Sequence, residues 1–145
     1  MTHARNPGQE PYYALHPQLA ADTHPVATFD LCELRLMDDA NYPWLVLVPR
    51  LPEARDLIDL DQAQRHALSD EIDNASRALR DAFQPFKLNV AALGNLVPQL
   101  HVHVIARYEN DPAWPSPVWG RVAARPYTPE LLVERIALLR ETLLG

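Results

Sequence analysis

The chain has 145 residues, 48% of them hydrophobic and 22% charged, which is one ordinary globular domain, long enough to build a core without a metal or disulfide staple. Its single cysteine, Cys32, excludes an intrachain disulfide and Cys-rich zinc scaffolds, and its net charge of −6 disfavours a nucleic-acid polymer or an anionic membrane while leaving room for one phosphorylated small molecule. No run approaches 18 apolar residues and residues 1–7 carry no apolar signal core, so neither a membrane span nor a secretory leader is expected, and the expected setting is the cytoplasm.

Residues 1–26 are polar and broken by Pro7, Pro11, Pro17 and Pro25; they read as an arm laid over the domain, with a short helical turn over residues 17–22. Residues 28–37 alternate, with Phe29, Leu31, Glu33, Arg35 and Met37 on one face, and read as a strand. After the turn Asp38-Asp39-Ala40-Asn41, the apolar run Trp44-Leu45-Val46-Leu47-Val48 ends at Pro49; it reads as a central strand covered on both faces, in a hairpin with the first. A long helix is expected over residues 61–83, where Ala63, Leu68, Ile72, Ala75, Leu79 and Phe83 form an apolar stripe and Pro85 ends it. Residues 86–93 and 98–107 read as strands separated by Gly94-Asn95, and residues 108–125 as a Trp- and Pro-rich excursion. Thr128-Pro129-Glu130 supplies the cap and first turn of a last helix. The order β-β-α-β-β-α argues an α+β domain with helices on one face of an antiparallel sheet.

Gln99-Leu100-His101-Val102-His103-Val104-Ile105 is the stretch that carries chemistry. Residues two apart on a strand share a face, so Gln99, His101 and His103 form a polar row opposite an apolar row. Such a row is costly to bury without partners. Three uses fit it: an exposed sheet face, a zinc site completed by a third ligand such as His16 or His24, or an imidazole nucleophile with a neighbouring proton donor. Arg50 and Arg107, at strand ends, could meet phosphate or solvent, and the stiff loop of residues 111–120 could close over the site or pack on the last helix. Cys32 reads as plain packing.

The heptapeptide, its lead-in Asn89-Val90-Ala91-Ala92-Leu93-Gly94-Asn95 and the exit Ala106-Arg107 resemble the histidine triad (HIT) family, whose signature is His-φ-His-φ-His-φ-φ with φ apolar. The resemblance covers residues 28–110. It implies one HIT-like domain over residues 1–145, with an arm over 1–26, a C-terminal helix in 126–145 and a sheet of about five antiparallel strands. It further implies a nucleotide phosphohydrolase or nucleotidyl transferase acting at the α-phosphorus of a nucleoside phosphoramidate or dinucleoside polyphosphate, without a cofactor. His101 would be the nucleophile, and His103 would contact the phosphate or bridging oxygen and help the leaving group depart. The N–H groups of Gly94, Asn95 and Leu96 and the Asn95 side chain would bind phosphate, with Asn89 beside them. The nucleoside would lie against the first hairpin, with Asp38 toward the ribose, and two chains would form a homodimer.

Two positions depart from the family pattern. Gln99 stands where the first triad histidine is expected; it can donate and accept hydrogen bonds but cannot carry a proton. Trp44 stands where many members have a histidine. These changes keep alive a second reading, a nucleotide-binding module without turnover. On the catalytic reading, restoring histidine at position 99 is expected to raise the rate.

Overall fold

Residues 23–49 fold as three antiparallel strands where the alternation predicts two. They are β1 (Thr23–Thr28), β2 (Cys32–Met37) and β3 (Trp44–Pro49). The strand expected over residues 28–37 breaks because the backbone N–H groups of Leu31 and Cys32 donate to the Glu71 carboxylate, at 2.9 and 2.8 Å, instead of joining a ladder. Arg50 pins the other side of that turn, its guanidinium donating to the carbonyls of Phe29, Asp30 and Leu31. Arg50 is therefore buried structural mortar, in contrast to the phosphate or solvent contact expected of it.

The computed structural model describes residues 12–145; the first eleven residues of the expected arm, with His3, Pro7 and Pro11, lie outside the described residues. The arm's helical turn is α1 (Pro17–Asp22), with Pro17 opening it and the His16 ring capping the Gln18 N–H. The long helix is α2 (Gln62–Phe83), held at its start by a capping box between Asp61 and Gln64. The chain then forms β4 (Lys87–Ala91), β5 (Val102–Arg107) and α3 (Pro129–Leu144), whose Thr128 hydroxyl caps Leu131. β5 starts four residues later than the alternation suggests. Pro98 has no N–H to pair, and the Leu100 N–H donates to Ala54 of the β3–α2 connection at 2.9 Å.

The sheet order is β1-β2-β3-β5-β4, antiparallel throughout, so β3 and β5 are interior and β4 is an edge. The fold is α+β. Leu34, Leu36, Leu45, Leu47, Val102 and Val104 face α2 and α3, meeting Leu68, Ala75, Leu79 and Leu139. A second apolar cluster lies on the opposite face. There Trp44, Val46, Val48 and Ile105 are covered by Leu15 and Leu19 of the arm and by Ala113 and Val118 of the proline-rich loop. Cys32 is buried in the first cluster. Among the described residues, no helix is long and apolar enough to cross a membrane.

Candidate active site

The register decides which side chains share the second face. Trp44 pairs with Ile105 and Val46 with His103 across β3 and β5, and Ala91 pairs with His103 across β4 and β5. Directly opposed residues in an antiparallel pair point the same way. His103 thus lies between Val46 and Ala91 on the face that the arm and the loop cover, and the His101 ring stands against it. Both imidazoles are buried, at 6% exposure for His101 and 4% for His103. Their ring centroids are 4.9 Å apart at 72°.

Each imidazole has its tautomer set by one partner. Nδ1 of His101 lies 2.7 Å from the backbone carbonyl of Gln99. A carbonyl only accepts, so this nitrogen carries the proton and Nε2 keeps its lone pair. The Trp44 indole Nε1–H donates to Nδ1 of His103 at 3.0 Å. An indole only donates, so His103 holds its proton on Nε2. The pair therefore presents one lone pair and one N–H donor. Burial, and secondarily the neighbouring charge of His101, pushes the His103 pKa down to about 4. His103 is a neutral hydrogen-bond donor at neutral pH.

Aromatic rings complete the wall around His103. Trp119 meets it edge-on with centroids 5.1 Å apart, and meets Trp44 at 5.7 Å. Trp119 arrives from the proline-rich loop, which is anchored by a buried ion pair. Arg107, 1% exposed, donates through Nε and Nη2 to the Asp111 carboxylate at 2.8 and 3.1 Å, and also to Ser116 O and Asn89 Oδ1. Asp111 also accepts from the N–H groups of Tyr108, Ala113 and Trp114. Burial alone would raise the pKa of Asp111, but these donors bring it below the usual carboxylate range. Arg107 is thus the fastener of the loop, which corrects its expected place at phosphate or solvent. The loop packs on the site face.

The other expected contacts divide in two. Gly94 lies in the turn before the histidines with φ +71°, and a Cβ there would sit 3.1 Å from Val97 O, so the position needs glycine. Among the described residues, the N–H groups of Gly94, Asn95 and Leu96 have no hydrogen-bond partner, and Asn95 and Leu96 are exposed. A cavity of about 360 Å³ opens beside them, walled by Arg55, Leu57, Ile58, Leu93, Gly94 and His101. Asn89 and Asp38 are held elsewhere. The Asn89 carboxamide oxygen accepts from Arg107 at 2.7 Å. Asp38 follows β2 at the far end of the sheet from His101, with β3 between their strands. It accepts from Tyr127 N and lies 3.2 Å from His24 Nε2. These contacts tie Asp38 to β1 and to the C-terminal segment, and a ribose contact there is a proposal.

The Gln99 side chain turns to the arm. Its Nε2 donates to Ala14 O at 2.8 Å, and its Oε1 accepts from His16 N at 2.8 Å. The carbonyl of Gln99, rather than its carboxamide, orients His101. No group of three His, Cys, Asp or Glu side chains converges among the described residues, His16 being the cap of α1 and His24 standing by Asp38.

A family model described as HIT domain matches residues 18–110. Solved structures of histidine triad proteins are similar over nearly the whole chain. One from Bradyrhizobium japonicum is 47% identical, covers 92% of this chain and 99% of its own, and superposes with a TM-score of 0.89. One from Marinobacter aquaeolei is 45% identical, with 91% and 96% covered and a TM-score of 0.88. One from Sinorhizobium meliloti is 40% identical, with 90% and 97% covered and a TM-score of 0.88. No curated protein matches the chain.

Proposed function

The chain belongs to the histidine triad family, and on that premise we propose that it is a phosphohydrolase or nucleotidyl transferase working through a covalent phospho-His101. Membership supports a nucleotide-binding or hydrolase/transferase function in general. The observation that carries the narrower reading is the 2.7 Å contact between Gln99 O and His101 Nδ1, which leaves Nε2 as a lone pair fixed in direction.

In this reading the substrate is a nucleoside phosphoramidate or dinucleoside polyphosphate. Nε2 of His101 attacks the α-phosphorus while the bond from phosphorus to the leaving nitrogen or oxygen breaks. The imidazole gains positive charge, which the Gln99 carbonyl stabilises through Nδ1–H. His103 keeps its proton and donates an Nε2–H hydrogen bond to the phosphoryl or bridging oxygen. A neutral imidazole with its acceptor nitrogen already bonded is a poor acid, so the leaving group takes its proton from solvent. The free N–H groups of Gly94, Asn95 and Leu96 suit phosphate oxygens. Water or another acceptor then attacks phosphorus and restores His101. The cytoplasmic setting is supported by the lone buried thiol of Cys32. A homodimer is supported by the apolar edge at β4, where Phe86, Val90, Leu93 and Leu96 are exposed.

The test is hydrolysis of adenosine 5′-phosphoramidate. His101→Ala is expected to lower turnover on the order of 10⁴-fold or more while the fold is retained. Turnover that survives the change removes His101 as nucleophile. Binding of AMP without turnover of any nucleotide in a broad panel gives the protein the role of a binding module.

A further inference from the structure

The carboxamide of Gln99 bonds two backbone groups of one extended segment, Ala14 O and His16 N, both at 2.8 Å. One planar group supplies a donor and an acceptor side by side, as a neighbouring strand would. The segment it holds is fastened at both ends. Tyr13 donates its hydroxyl to Glu33 of β2, and Thr23 Oγ1 bonds Leu19 O at the end of α1. Between those ends Leu15 and Leu19 lie on Trp44, Val46 and Val48 of β3, the strand beside the two histidines.

We propose that Gln99 is a positioning residue for substrate. It acts through residues 14–16, which its side chain clamps onto the sheet face that carries His101 and His103. This rests on the phosphohydrolase reading above and deepens it. The same residue orients the nucleophile through its carbonyl and holds the arm through its carboxamide. An imidazole could not replace it. The donor and acceptor of histidine point away from each other across the ring, whereas those of a carboxamide can be aimed at two atoms of one extended segment. The loss of the first triad histidine is then the condition for the clamp.

The test separates KM from kcat. Gln99→Ala and Gln99→His are expected to raise KM for the phosphoramidate about tenfold or more with kcat within about threefold, because the carbonyl that orients His101 stays; the two carboxamide contacts thus reverse the rate gain expected of histidine at position 99 from the sequence. His16→Pro removes the arm's donor at φ −56°, an angle proline adopts, and is expected to raise KM more than His16→Ala, which keeps the N–H. Hydrogen exchange at the His16 amide provides a readout independent of turnover and is expected to speed up in Gln99→Ala. A wild-type protein that turns nothing over while this amide is protected defeats the phosphohydrolase reading alone. An active wild type whose KM is unmoved, or falls, in Gln99→Ala overturns the clamp as a means of positioning substrate. So does a kcat loss with KM unchanged.

Discussion

Trp44 Nε1 stands 3.0 Å from His103 Nδ1 and decides which nitrogen of that imidazole carries its proton. The indole occupies a position where a titratable ring is expected and replaces it with a donor that holds its proton at every physiological pH. The second histidine of the site is thereby a fixed dipole rather than a proton shuttle.

Removing that donor leaves a buried acceptor unpaired. Trp44→Phe is expected to cost about 1–3 kcal/mol of stability, read by urea unfolding. It should also cost roughly tenfold in kcat, because both tautomers of His103 become accessible. Trp44→His, which keeps a ring N–H, should recover part of both.

His103 also makes stability depend on pH. Folded, it stays unprotonated down to about pH 4. Unfolded, it takes a proton near the ordinary value of about 6.5, so between these values the unfolded chain binds more protons. Its contribution is fully present above about pH 6.5 and is lost as pH falls toward 4, on the order of 3 kcal/mol in all. Unfolding free energies at pH 7.5 and 4.5 should differ by less in His103→Asn than in the wild type.

Asp111→Ala removes the only carboxylate paired with the buried Arg107 guanidinium among the described residues, leaving it Asn89 Oδ1 and Ser116 O, and removes a side-chain acceptor from the N–H groups of Tyr108, Ala113 and Trp114. A loss of about 3–5 kcal/mol is expected, measured by chemical unfolding. Trp119 should leave its place against His103, seen as a change in near-ultraviolet dichroism larger than that of a surface control.

The β4 edge predicts the oligomeric state. Light scattering of the wild type should give twice the 16.4 kDa chain mass. The pair Val90→Lys and Leu93→Lys, on an exposed edge, should give the single-chain mass.

What the sequence exposed and what it hid follow from the range of each interaction. The helix limits were readable because caps are local: Asp61 with Gln64, Thr128 with Leu131, and Pro17 all act within a few residues. The His-x-His row and the stop at Gly94-Asn95 were readable for the same reason. The break between β1 and β2 was hidden because its cause, Glu71, lies about 40 positions away on a helix. Gln99 reaches an arm more than 80 positions earlier, and no local pattern announces it. Trp119 reaches His103 through a loop without periodicity. The Arg107–Asp111 fastener carried a local sign, four residues apart at a strand end, but such spacing is as common on solvated surfaces.

The covering of the second sheet face has a consequence for how this protein can change. The atoms around His103 are also its second core, so a substitution at Trp44, Val46 or Ile105 alters chemistry and folding together. The cavity wall is built differently: Ile58, which lines it, is 87% exposed. Mutational drift can proceed there with little penalty to folding. New substrate preferences in descendants of this chain should therefore accumulate at Leu57 and Ile58 of the 3₁₀ turn, while Gly94 and the aromatic wall stay fixed.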